Sequence, residues 1–389
     1  MSGQEAEIGA LGIIILAGVL GRLFLKKTGF SDVFLLLVFG ACAGALLPQQ
    51  AVAWLGMLML PLGAVALLMI IMDEGLRLSF ESLRKQLHKA IFLGVLSFAF
   101  AFAFTFSISF GLLGLPMLHS LIVAAIFASV APELLSGFLS ALGASESAKG
   151  IGEIEATISD SLSVMIALVL AGSVARGGLG ISLSALPGDI AIVLLLSAAS
   201  GSLLAALWKA FVSHIAEENE HLVAIGLAAL LYAGASLVGA NSVVSVFVFC
   251  FFLGNTTHQA IEEVRKFQSE ITFFLRTFFF IYLGVLLFHS PKPYEVALAA
   301  LALSLLLALA RMVSSRVVGL LDQSARKGRL LESVSSRGLS SAVLSVIVAG
   351  ELSSAGVAQA IDLPLLALFV IFFTNLITAF LVFKKRKLE

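Results

Sequence analysis

Apolar residues run along this chain in long blocks rather than in alternation with polar ones. Thirteen blocks approach the roughly 20 residues that a helix needs to cross a hydrocarbon layer. They fall near 8–25, 31–47, 52–72, 90–111, 119–142, 151–175, 188–212, 221–238, 242–254, 270–288, 295–319, 336–352 and 364–383. A helix is predicted for each. The ninth block is short, and the twelfth, SSRGLSSAVLSVIVAG, is polar and interrupted by glycine. Pro132 interrupts the fifth, where it removes a backbone donor and frees a carbonyl. A break at membrane depth is tolerated where it lines a cavity or is buried in protein. Thirteen divides as six, one and six, which places the two broken blocks in matching positions of oppositely oriented halves. The expected fold is all-α and polytopic. It has 13 transmembrane helices in inverted six-helix repeats, with broken helices crossing at the midplane.

Composition agrees with this pattern: 60% of residues are hydrophobic and 12% charged. Globular chains are nearer half apolar and a quarter charged, so the bilayer must be the solvent for most of this one. The net charge is zero, but its distribution is informative. The basic cluster Lys384, Lys385, Arg386 and Lys387 follows the last span and places the C-terminus in the cytoplasm. Counting back, one set of loops carries Arg22, Lys26, Lys27, Arg77, Arg84, Lys85, Lys89, Lys149, Lys209, Arg265, Lys266, Arg326, Lys327 and Arg329. The opposite set carries Arg176 and Lys292. The expectation is an integral protein of the cytoplasmic membrane, N-terminus outside, whose first span is retained. The amphipathic run Asp73–Lys89 is expected to lie at the cytoplasmic interface.

Cys42 and Cys250 lie inside apolar blocks without metal or disulfide spacing, and no nucleotide loop follows a strand. The expectation is a carrier without a cofactor or nucleic-acid partner, and not an enzyme. Its chemistry is sought among ionisable groups inside the spans, which are costly there unless paired or hydrated. The sixth block carries Glu153, Glu155 and Asp160, the fifth Glu133, the tenth Arg276, the eleventh Arg311 and Arg316, and the twelfth Arg337. Glu153 suits a solvated helix start, and Arg22 and Arg316 suit snorkelling to the cytoplasmic edge. Glu155 and Asp160 stand roughly 140° apart around a helix, so they face different surroundings. A Glu155–Arg311 pair would lock two helices together. Asp160 would then be free to take a cation or a proton, which is the minimal chemistry of exchange.

These residues resemble the monovalent cation:proton antiporter superfamily, on the sodium/proton exchanger side, over most of the chain. An acid four residues before an Asn-Asp pair on the sixth span is matched by Glu155, Ser159 and Asp160. Arg311 in ALARMV, Arg337-Gly338 opening the twelfth span, and DEGLRL at 73–78 also match. So do GANSVVSVFVFCFFLGN at 239–255 and FFFIYLGVLL at 278–287. The resemblance implies a homodimer with an elevator-like cycle. Residues 1–89 and 219–289 would form the dimerisation domain, 90–175 and 290–389 the core, and 176–218 the linking helix. It implies exchange of a monovalent cation, Na⁺ foremost, for H⁺, with Asp160 holding the ion. A single exchangeable carboxylate implies an electroneutral one-for-one cycle.

Two departures stand out. The family's Thr-Asp-Pro reads Val130-Ala131-Pro132, and the Asn of Asn-Asp is Ser159. Both remove ligands from the ion site implied by the resemblance, at Asp160, Ser159, Val130 and Ala131. Glu133 is a candidate for the lost acid, although two helical steps of roughly 100° point it elsewhere. The lost ligands motivate alternatives: the same architecture moving K⁺, an organic ion or an anion. A channel would show a pore loop or a charge ring, and neither is evident.

Overall fold

A computed structural model of the chain describes residues 12–21, 23, 32–77, 80–144, 146–177, 186–215, 219–255, 260–290, 292–321 and 332–386. The helices are α1 (Gly12–Gly21), α2 (Asp32–Gly44), α3 (Gln49–Arg77), α4 (Phe80–Gly111), α5 (Met117–Phe127) and α6 (Pro132–Ala141). They continue as α7 (Glu146–Gly177), α8 (Leu186–Phe211), α9 (Glu220–Gly234) and α10 (Ser242–Gly254). The last four are α11 (Ala260–Leu286), α12 (Pro293–Leu321), α13 (Leu339–Ser354) and α14 (Leu363–Arg386). Among the described residues there is no strand. Eight of the helical stretches are long and apolar enough to cross a membrane, and five more (α1, α2, α5, α10 and α13) are apolar but shorter. The chain is an integral membrane protein.

Two segments differ from the sequence expectation. The run Asp73–Lys89 is divided between two helices, and its side chains from Phe80 onward lie outside those described. Its first five residues complete α3, and the stretch from Phe80 is the start of α4. Burial explains the first part: Glu74 is 3% exposed and Leu76 is fully covered, so this end of α3 is packed rather than laid on the surface. The twelfth block begins its helix at Leu339, and Val334–Gly338 are non-helical. The fifth block is broken as Pro132 predicts: α5 ends at Phe127 and Pro132 opens α6, where a missing N–H costs no helical bond. The basic residues Arg22, Lys26, Lys27, Arg326, Lys327, Arg329 and Lys387 lie outside the described residues. So do the side chains of Glu133, Arg84, Lys85, Lys89, Arg176, Lys385 and Arg386.

Packing sorts the helices into two groups. In one, α2 lies on α11, α3 on α10 and α11, and α8 and α9 on α10. The α2–α11 crossing is close because it is made by glycines. A Cβ on Gly40 would stand 2.1 Å from the carbonyl oxygen of Ile281, and one on Gly284 would stand 2.3 Å from that of Leu37. Without a hydrophobic drive between helices in lipid, such small-residue contacts carry the association. In the other group, α4 packs on α5, α7 and α12, α12 on α14, and α13 on α7 and α14. The groups meet where α13 lies against α3 and α11. α10 is capped by Asn241, whose side chain accepts from the N–H groups of Val243 (3.0 Å) and Val244 (3.1 Å).

Candidate functional site

The two broken segments cross, and their backbone is accounted for group by group. A helix end leaves carbonyls without partners, and in the membrane these must be satisfied by protein. The last three carbonyls of α5 each receive a side chain. Ser163 Oγ donates to Ala125, Ser341 Oγ to Ile126 (3.0 Å), and Arg337 Nε to Phe127 (2.8 Å). Arg337 also donates through Nη1 to the carbonyl of Ser335 at 2.6 Å. Across the gap, the N–H of Ala131 donates to the carbonyl of Ser336 at 3.0 Å. α14 supports the second break: Thr374 and Thr378 hydroxyls accept from the N–H groups of Arg337 and Ser335, and Asn375 donates to the carbonyl of Arg337. Arg337, 2% exposed, is thus a clamp between helix ends.

Asp160 lies beside this crossing on α7 and is 2% exposed. Its two oxygens accept from Ser129 Oγ, at 2.7 Å, and from Ser340 Oγ. Ser129 sits in the gap after α5 and Ser340 in the first turn of α13, so Asp160 faces the positive end of α13. Among the described residues it forms no ion pair. On α3, Glu74 accepts from Ser161 Oγ at 2.7 Å through Oε2, and its carboxyl group lies beside that of Asp160. Among the described residues, Glu74 Oε1 has no hydrogen-bond partner. Two adjacent carboxylates repel, and the repulsion is relieved by a cation or by a proton shared between them.

Glu155 faces away from this pair. Arg311 on α12 donates to both of its oxygens, with 3.0 Å from Nη2 to Oε2, and also to Ser97 Oγ on α4 at 2.8 Å. Three helices are joined by one buried guanidinium. A second, partly buried pair, Arg276 with Asp32, joins α11 to α2.

A cavity of about 470 Å³ reaches Asp160 from the end of the molecule where α3 finishes and α11 begins. Glu74, Thr157, Asp160, Ser340 and Pro132 line its inner part; Asp73, Arg77 and Arg265 line it nearer the mouth, where Arg77 is half exposed. Its walls come from both helix groups: α3 and α11 on one side, α6, α7 and α13 on the other. Carboxylate and hydroxyl oxygens are the donors that hard cations take.

The residues singled out in the sequence are not all at this cavity. Asp160 and Pro132 line it. The hydroxyl of Ser159 turns back to the carbonyl of Ala156 on its own helix at 2.9 Å, so the hydroxyls on Asp160 are supplied by Ser129 and Ser340 instead. Val130 and Ala131 are buried, and Ala131 contributes a backbone link rather than a ligand. Gly338 precedes α13 as its N-cap. Glu133 is in the first turn of α6, with a side chain outside those described. Glu74, Ser129 and Ser340 were missed by sequence reasoning. The signal for Glu74 was present, as an acid in the DEGLRL run that ends an apolar block.

Comparison with known proteins places this geometry. The family profile described as "Sodium/hydrogen exchanger, transmembrane" matches residues 12–384. The chain is 25% identical over 244 residues to a protein of Shewanella oneidensis named K(+)/H(+) antiporter NhaP2, a match covering 61% of this chain. It is 24% identical over 245 residues to the protein of the same name from Shewanella sp. strain ANA-3, covering 62%. The chain spans 42% of the length of these curated relatives. Among solved structures, the sodium proton antiporter MjNhaP1 of Methanocaldococcus jannaschii at pH 8 superposes with a TM-score of 0.82 at 19% identity, covering 99% of this chain and 100% of that one. An electron-microscopy structure of the same antiporter gives 0.75 at 20% identity, covering 99% and 98%. The fold is that of MjNhaP1, and with the profile matched almost from end to end, this chain belongs to the transmembrane sodium/hydrogen exchanger family.

Proposed function

We propose that this protein is a secondary antiporter that exchanges a monovalent cation for protons across the cytoplasmic membrane, with Asp160 as the group that takes either. One observation carries the reading. Asp160 ends a cavity open at one end of the molecule, has no basic partner among the described residues, and shares the pocket with a second acid, Glu74. Arg311 is paired with Glu155, and Arg337, whose charge acts on Asp160 from nearby, directs its hydrogen bonds to backbone carbonyls.

The cycle proposed is alternating access by displacement of the core, α4–α7 and α12–α14, against the other helices, which would form the dimer contact. The cavity between the two groups supports this, as does the family. The positive-inside pattern gives thirteen spans and a cytoplasmic C-terminus. On that orientation, the mouth at Asp73, Arg77 and Arg265 faces the cytoplasm. The name of the Shewanella relatives favours K⁺ as the cation, whereas the family resemblance implies Na⁺ first. A single exchangeable carboxylate implies a one-for-one cycle, but two, Glu74 and Asp160, line the inner part of this cavity, while Asp73 nearer the mouth is paired with Arg77. A one-for-one cycle therefore requires Glu74 to keep one charge state throughout, which currents across a supported membrane would test directly.

Proteoliposomes with an internal pH dye, driven in turn by Na⁺, K⁺ and Li⁺ gradients, test the function. Cation-dependent proton movement is expected for the wild type. Asp160→Asn is expected to lose it while retaining the wild-type melting temperature without cation. Exchange surviving in Asp160→Asn would remove that acid from the mechanism.

A further inference from the structure

Gln268 on α11 is, among the described residues, the side-chain amide with both polar ends buried and unpartnered. It is 1% exposed, and neither Nε2 nor Oε1 meets a protein hydrogen-bonding group. A buried amide in that condition is destabilising unless something outside the chain satisfies it. Gln268 lines the cavity that holds Glu74 and Asp160, and so does the rest of one α11 face, at helical intervals from Arg265 through Thr272 to Arg276. The charged ends of that face each have a partner, although Nε of Arg276 has none among the described residues. Arg265 donates to the carbonyl of Leu76 at 2.8 Å, and Arg276 is paired with Asp32. Between them the face offers neutral oxygens to the cavity, with Gln268 the most deeply buried. On α3, which packs against α11, Glu74 Oε1 is also without a hydrogen-bond partner among the described residues. Gln268 Oε1 and Glu74 Oε1 therefore border the same space.

We propose that Gln268 is a neutral ligand to the transported cation, binding it through Oε1 on its passage between the cavity mouth and the Asp160–Glu74 pair. This assignment rests on the exchange reading above and adds a specificity-determining residue to it. A carboxamide oxygen attracts a partly dehydrated metal ion, yet it does not take a proton at physiological pH. Gln268 thus favours the metal ion in its competition with H⁺ for the acids. It is also contributed by the helix group opposite to the one bearing Asp160, so the ion is held from both walls.

The proteoliposome assay with Gln268→Leu tests this. Leucine fills a similar volume and removes an unsatisfied polar group, so the melting temperature without cation should not fall. The apparent KM for the transported cation should rise about tenfold, with the rate at saturating cation kept within about twofold. The ratio of KM values among Na⁺, K⁺ and Li⁺ should change, and the stabilisation of purified protein by that cation in a melting experiment should shrink. Gln268→Glu, which keeps an oxygen and adds charge, should lower the KM. Gln268→Met provides a second apolar variant if leucine disturbs the fold. KM values and ion preference within about twofold of wild type in the folded apolar variants would overturn the assignment while leaving the exchange reading intact. Loss of the maximal rate at unchanged KM would also overturn it. A wild type that moves protons with none of the three cations would overturn both.

Discussion

Arg337 Nε donates to the carbonyl oxygen of Phe127 over 2.8 Å, so a side chain opening one broken segment closes the end of the other. The bond joins residues 210 positions apart. It puts a cation at the negative end of α5, where the helix dipole favours one. Replacing Arg337 by methionine leaves the carbonyls of Phe127 and Ser335 without their donors. The expected loss is roughly 3 kcal/mol, from two buried charge-assisted bonds, read as a fall in melting temperature in detergent. Arg337→Lys restores a charge but not the fork, and should recover only part of the difference.

Glu74 should govern cation affinity rather than fold. Its carboxyl lies beside Asp160 and one oxygen is unpartnered, so Glu74→Gln removes a charge from the cation pocket without removing the oxygen that accepts from Ser161. The apparent KM for the driving cation is expected to rise by about tenfold, equivalent to roughly 1.4 kcal/mol, with melting temperature unchanged or higher because one repulsive pair is gone. An unchanged KM in the dye assay would show that Glu74 adds nothing to cation binding.

The Glu155–Arg311 pair should behave as a structural lock. Removing one member strands a buried charge, at about 3–5 kcal/mol, whereas replacing both with apolar groups costs far less. Arg311→Met should therefore melt well below the wild type, and Glu155→Leu combined with Arg311→Met should melt above the single variant. Ion preference should be the same in every variant that folds. A double variant no better than Arg311→Met would mean that Ser97 and the packing of α4, rather than relief of the charge, dominate there.

The α2–α11 crossing gives a steric test. Gly40→Ala places a methyl group against the backbone of Ile281, and neither helix can yield without parting from the other. A loss of about 2 kcal/mol is expected, in the range of overpacked cores. Gly12→Ala is the control, because nothing stands within 4 Å of the position its Cβ would take. Equal melting temperatures for the two variants would contradict the close approach of the helices.

The elements were legible wherever one block of apolar residues made one helix. The break at Pro132 was legible because proline removes a specific donor. The separation of Glu155 from Asp160 followed from helical rotation alone, and the structure has those two acids in different company. What the sequence could not convey was company across elements. Glu74 looked like an interfacial acid because its neighbours Asp73 and Arg77 are polar, and only the packing of α3 against α10 and α13 shows it buried. The departures at Val130 and Ala131 suggested a site stripped of ligands. The hydroxyls that hold Asp160 come instead from Ser129, one residue before Val130 in the gap, and from Ser340, 180 residues beyond Asp160 itself. Serine is common in both broken segments, and nothing in its spacing says which hydroxyl turns to a backbone carbonyl, as Ser341 does, and which to a carboxylate.

Glu74 and Asp160 are borne by helices of different groups, α3 and α7. A slide of one group along the other would draw these two acids apart and break the Ser161–Glu74 bond with them. In the cycle proposed above their proximity would mark one stage, and a pair of spectroscopic labels on α3 and α7 would read which stage a given gradient populates.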